Sequence, residues 1–172
     1  KNLLKLYTKG AQIRATGGGA SKSHPVLDQA EEFIINTSSG GYCGHAKVPI
    51  GNMAIRELVK ACCSGKQEAR ALRTLRGASE KYSCKLNAEA WEPLIFHLTK
   101  RSQLDAAKDA LTLMTNNGVE PTKRILDAFA CGHLDNGDGP EAVESLEEFY
   151  TIHNVRPAPA TLLKLLNNAF IN

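Results

Sequence analysis

Long hydrophobic runs are missing from this 172-residue chain, and aromatic residues are scarce. Aromatic residues make up 6%, with Trp91 the single tryptophan, whereas Ala, Leu, Lys and Glu are plentiful. That balance favours helix over sheet, and an all-α protein is expected. No apolar stretch approaches the ~20 residues that cross a bilayer, so a soluble protein without membrane insertion is expected. The opening residues, KNLLKLYTKG, lack the apolar centre of a secretory signal. They begin at Lys1 rather than Met, as a processed product or a fragment would.

The five cysteines, Cys43, Cys62, Cys63, Cys84 and Cys131, are odd in number and show no CxxC spacing. Reduced thiols in an intracellular compartment fit this better than a disulfide framework. Cys62 and Cys63 are neighbours on an expected helix and point ~100° apart, so they cannot grip one metal together. Cys43 and His45 can supply two ligands, but no second pair lies at a suitable spacing. No metal and no cofactor is expected.

Catalytic signals are equally thin. The stretch TGGGASKS at 16–23 has Thr16 and Ser21 where a phosphate-binding loop needs glycine, and no strand precedes it, so it reads as a flexible loop. His24, His45, His97, His133 and His153 are scattered, and His97 sits on a mostly apolar helix as a packed or surface residue. Asp135, Asp138 and Glu141 lack the twelve-residue calcium pattern with its terminal Glu. DNGDGP is instead a helix–helix turn with Pro140 at a helix start. The chain is expected to be no enzyme and to take no small-molecule substrate.

Charge and periodicity are what the sequence does carry. Residues 1–86 hold 14 Lys and Arg against 6 Asp and Glu, net +8, while residues 87–172 hold 7 against 12, net −5. Phosphate is drawn to the first half and repelled by the second, so nucleic-acid contact belongs in the first. Apolar residues recur at helical spacing in Trp91, Leu94, Ile95 and Leu98, then in Leu104, Ala107, Ala110, Leu111 and Met114. KRSQ breaks the two helices apart, Gly118 is a left-handed cap candidate, and Pro121 precedes the next helix. Small residues mark the second helix of each pair at Ala71, Ala107 and Ala142, 36 and 35 residues apart, with Ala30 in an earlier, irregular pair. Helix pairs with one apolar face left open must stack on like pairs. Helices are expected at about 2–14, 26–37, 50–64, 66–82, 88–101, 103–117, 122–133, 140–153 and 158–171: four antiparallel pairs and a closing helix, divided into a divergent segment 1–49 and a repeat segment 50–172.

The 88–122 unit, with Trp91, Leu94, Ile95, Leu98, Lys100, Leu104, Asp105, Ala107, Met114 and GVEP at 118–121, resembles a pentatricopeptide repeat. Tetratricopeptide repeats, with their protein partners, are the neighbouring class. The resemblance implies an α-solenoid acting on RNA in mitochondria, or less often chloroplasts, with the fifth and last residue of each repeat contacting bases. Those positions hold Glu92 and Thr122, then Asp127 and Pro157, and Asn87 ends the repeat before. They are weak base readers, because Glu92 repels phosphate and Pro157 has no side-chain donor or acceptor.

Basic side chains suit RNA better. Lys66, Arg70, Arg73, Arg76 and Lys81 are expected on one second helix, with Arg56 and Lys60 on its partner. No aromatic alternates with them, which favours phosphates of structured RNA over a threaded single strand. A solvated face and an acidic protein partner stay open for the same stripe. The resemblance and the charge split together lead to the expectation of a mitochondrial ribosome component in the matrix, holding ribosomal RNA with its basic half and neighbouring proteins with its acidic half. A transcript-processing or stability factor on single-stranded RNA and a protein scaffold in a respiratory assembly are the alternatives.

Overall fold

A computed structural model describes residues 25–39, 50–78 and 84–171. Eight helices form among them: α1 (Pro25–Ser39), α2 (Asn52–Ser64), α3 (Glu68–Arg76), α4 (Ala88–Lys100), α5 (Leu104–Asn116), α6 (Lys123–Asp135), α7 (Gly139–His153) and α8 (Pro159–Ile171). No strand occurs among the described residues. The expected helix at 2–14, the glycine-rich loop at 16–23, Cys43, His45 and Lys81 lie outside the described residues, and the boundary expected at 49/50 adjoins one such stretch. Packing divides the chain into two compact units, 1–94 and 95–172.

In the first unit α1 and α3 both pack on α2. Buried Ile55, Leu58, Val59 and Cys62 repeat at the i, i+3, i+4, i+7 spacing that lines one face of α2. Leu27, Ala30 and Ile34 of α1 and Ala71 and Leu75 of α3 are buried in the same unit. Asn52, at the start of α2, donates from Nδ2 to the Lys85 carbonyl at 2.9 Å and accepts the Asn87 N–H at 2.7 Å. One side chain thus ties the start of α2 to the approach to α4.

The second unit pairs α6 with α7, sets α8 against both, and places α5 beside α6. Phe129 and Phe149 meet edge to face, centroids 5.9 Å apart, an arrangement that aligns ring edge with ring face. Gly132 makes a close approach possible: a Cβ there would lie 2.9 Å from Leu104 Cδ2 and 3.4 Å from Thr99 Cβ. Thr122 caps α6 by accepting the Ile125 N–H.

The expected period is present in the packing, since Ala71, Ala107 and Ala142 are each fully buried. It is present in the turns as well. Within three hairpins the second residue past the first helix is left-handed, Lys66 at φ 56°, Ser102 at φ 58° and Gly137 at φ 83°. Each turn closes with the same two bonds: Lys66 N–H to Cys63 and Gln67 N–H to Cys62, Ser102 to Thr99 and Gln103 to Leu98, Gly137 to Leu134 and Asp138 to His133. This is the Schellman arrangement. Gly118, φ 70°, ends α5 in the same way, with Val119 N–H on the Met114 carbonyl. The second helix of the first hairpin is shorter than expected: Lys66 belongs to the turn, and α3 runs from Glu68 to a cap at Gly77.

Candidate nucleic-acid interface

Helices α2 and α3 position the basic side chains. Arg56 is half-buried on α2, and its Nε has no hydrogen-bond partner. Lys60 follows one turn later and is exposed, Lys66 stands at the left-handed turn, and Arg73 and Arg76 are exposed in the last turn of α3. Lys60, Lys66, Arg73 and Arg76 have no ion-pair partner among the described residues. Cations near a helix C-terminus also complement its dipole, and this supports Arg73 and Arg76 where they stand.

Arg70 does not belong with them, contrary to the expectation for this helix face. It turns toward α1, where Nη1 donates to Asp28 Oδ1 at 2.6 Å while Nε and Nη2 donate to Glu31 Oε2 at 3.1 and 2.7 Å. Only 13% of its side chain is exposed. Burial pulls its pKa down, but the hydrogen bonds and charges of Asp28 and Glu31 outweigh that and raise it. The guanidinium therefore stays charged and committed to an internal contact, which joins α1 to α3.

Of the base-reading candidates, three have structural roles. Glu92 is 5% exposed, too buried to meet a base. Thr122 caps α6. Asp127 accepts the Ala158 N–H at 2.9 Å and the Thr161 hydroxyl at 2.8 Å, and so holds the start of α8. Asn87 alone keeps an exposed side chain.

One arrangement escapes sequence reasoning. Arg124 of α6 lies over the Phe96 ring of α4, 5.5 Å from its centroid, beside a groove of about 130 Å³ lined by Phe96, Lys100, Ala128, Cys131 and Asp135. An aromatic face and cations together form the kind of surface on which an unpaired base stacks. Nothing local marks the pair, because its members lie 28 residues apart in sequence and meet only through helix packing.

Burial sets the remaining chemistry. It pushes the Cys62 and Cys63 thiols up to about 12 and raises that of Cys84. His133 is 6% exposed with neither ring nitrogen hydrogen-bonded. Burial, aided by the charge of Lys108, lowers its pKa against the opposing pull of Asp138 and Glu141. Among the described residues no three His, Cys, Asp or Glu side chains come together as a metal site, and no helix is long and apolar enough to cross a membrane.

No family model and no curated protein matches the chain. Solved structures do. The pentatricopeptide repeat protein PPR10 from maize superposes on 96% of the chain with a TM-score of 0.65 at 17% identity, and the chain spans 22% of that protein's length. The PPR domain of protein-only RNase P 1 from Arabidopsis thaliana, solved in complex with tRNA, superposes on 98% of the chain and is itself covered to 95%, with a TM-score of 0.57 at 12% identity. Identical turns at the expected period and these two likenesses lead to one conclusion: the chain has the all-α, helical-repeat fold of pentatricopeptide repeat proteins.

Proposed function

We propose that this chain is a non-catalytic RNA-binding protein that holds folded RNA through Lys60, Lys66, Arg73 and Arg76, as a fixed part of the mitochondrial ribosome in the matrix. The observation that carries the RNA contact is that these four exposed cations on consecutive elements are unpaired among the described residues. Surface cations without an internal partner neutralise phosphates without having to break a bond first. Repeats of this fold carry RNA in the Arabidopsis PPR domain, whose bound partner, tRNA, is a structured one. The burial or capping role of Glu92, Thr122 and Asp127 favours positioning over base-by-base recognition.

Assignment to the ribosome rests on the family resemblance and on the net charge of +8 in residues 1–86 against −5 in residues 87–172. Sedimentation of the native protein tests it. Co-migration with a ribosomal particle, lost on nuclease treatment, is the expected outcome; migration with a nuclease-resistant protein complex would refute it. A second reading, a transcript factor on single-stranded RNA, is favoured by the Arg124–Phe96 stack beside Lys100. Phe96→Ala weakens binding to an unpaired oligonucleotide in that case and leaves a folded RNA unaffected.

A further inference from the structure

Glu92 and Asp127 are taken up by burial and by the start of α8, but the groove beside Phe96 lies further along the same two helices. Phe96 and Lys100 follow Glu92 at steps of four, and Cys131 and Asp135 follow Asp127 likewise, so each set lines one face of its helix. Lys100 is the last residue of α4 and Asp135 the last of α6. At about 130 Å³ the groove is small beside the roughly 300–1,000 Å³ of an ordinary ligand pocket, which limits its occupant to the size of a single base. Phe96, with the Arg124 guanidinium over its ring, supplies a flat surface for stacking.

Two charges select the base. Lys100 and Asp135 line the same groove with opposite sign, yet no ion pair joins them. Asp135 is tied to α8 instead: Lys164 Nζ donates to its Oδ1 at 2.5 Å and to the Cys131 carbonyl at 3.5 Å. A carboxylate only accepts and has about four acceptor sites, of which Lys164 uses one, while an ammonium only donates. Guanine carries two adjacent donors, N1–H and the N2 amino group, beside the O6 acceptor on its Watson–Crick edge. Adenine and cytosine offer a single donor there next to an acceptor, and the single donor of uracil stands between two acceptors. We propose that the groove binds one unpaired guanine, stacked at Phe96 and Arg124, with Asp135 accepting from N1–H and the N2 amino group and Lys100 donating to O6. For its stacking surface the proposal rests on the single-strand reading of Phe96; for its choice of base it rests on Asp135 and Lys100 alone. A free guanine nucleotide and a guanine within an RNA strand share this chemistry.

Fluorescence anisotropy of labelled uridine heptamers that differ only in a central guanine, inosine, adenine or cytosine reads this choice. The guanine strand is expected to bind about 5- to 150-fold tighter than the adenine strand, with inosine, which lacks the N2 amino group, in between. Asp135→Asn brings guanine to the level of adenine. Lys164→Met removes the same ion pair but keeps the carboxylate, so it retains the preference and tells a lost acceptor from a lost tie to α8. Circular dichroism with unchanged helix content checks that both variants fold. Competition with GMP separates the sources: displacement of the strand by GMP identifies the free nucleotide as sufficient, and displacement by a guanine-bearing oligonucleotide alone identifies RNA. Four strands of equal affinity, all weakened by Phe96→Ala, overturn the guanine assignment and leave the stacking surface standing. Strands that do not bind, or that bind without regard to Phe96, overturn both. A guanine preference that survives Asp135→Asn also overturns the assignment.

Discussion

Replacing Arg70 by Met separates the structural cation of α3 from those proposed to face RNA. The substitution keeps the aliphatic stem and deletes a fork that donates three hydrogen bonds to Asp28 and Glu31. Exposed ion pairs contribute about 0–1 kcal/mol, while stripping one partner from a buried pair costs about 3–5 kcal/mol. Side-chain exposures of 13% for Arg70 and 22% for Glu31 lie nearer the second case, and 51% for Asp28 nearer the first. A loss of roughly 1.5–3 kcal/mol follows, which for a chain of this size lowers Tm by roughly 3–12 °C. Arg73→Met, at an exposed position with no ion-pair partner among the described residues, shifts stability by no more than about 0.5 kcal/mol. The binding effects run the other way: Arg73→Met reduces the salt slope of RNA affinity by about one, and Arg70→Met leaves it unchanged where the protein is folded. Melting followed by circular dichroism, hydrogen exchange across α1 and filter binding over a salt series measure all three. An Arg70→Met protein that melts like the unaltered chain, retains α1 protection and loses one unit of slope would refute the reasoning.

Four exposed cations, each neutralising one phosphate, predict a log–log salt slope between about −2.8 and −3.6, so raising salt fourfold weakens RNA binding roughly 50- to 150-fold; a flat dependence in filter binding rules the clamp out. With their thiols near 12, Cys62 and Cys63 are about one part in ten thousand thiolate at pH 8. Half-buried Cys131 is therefore alkylated well before either of them in the native protein, and peptide mapping that finds Cys62 modified first contradicts the packing. His133, whose folded pKa is depressed, binds its proton more readily when the chain is unfolded. Its contribution is complete above the unfolded value near 6.5 and is lost as pH falls from there toward the folded value. His133→Leu, matching Leu98 at the equivalent place one repeat earlier, removes two unsatisfied ring nitrogens and adds about 1–3 kcal/mol. Urea denaturation at pH 5 and pH 8 checks both effects, and an acid sensitivity that survives the substitution assigns it elsewhere.

The legible part of this fold is the part written in steric terms. A second helix crossing its partner closely needs a small residue at one recurring place, and Ala71, Ala107 and Ala142 announce it to any reader of the sequence. Gly118 likewise announces its turn. Lys66 and Ser102 do not: each holds a left-handed φ that an L residue adopts at a cost of about 1 kcal/mol, and only the packing of the flanking helices imposes it. Arg70 was illegible for a related reason. Helical spacing groups it with Arg73 and Arg76, but its carboxylate partners lie 42 and 39 residues away, on a helix whose placement the spacing does not encode.

The same limit explains why the base-reading positions promise more in the sequence than the folded chain delivers, and it bears on the kind of RNA that the proposed interface would fit. A polar residue at the start of a first helix can face a ligand, or it can bind the backbone where the next first helix begins. Asn52 takes the second course, bonding to Lys85 and Asn87. Asp127 does so again, bonding to Ala158 and Thr161. Asn52 at the first residue of α2 and Asp127 at the fifth of α6 thus both join one hairpin to the next. A polar atom saturated in that way has little left with which to distinguish one base from another. Affinity is left to exposed cations such as Lys60, Lys66, Arg73 and Arg76, which respond to where phosphates lie and not to which bases they carry. A cluster of cations that responds to phosphate position would match RNA whose phosphates are already fixed in space, and folded RNA meets that condition where a flexible single strand does not.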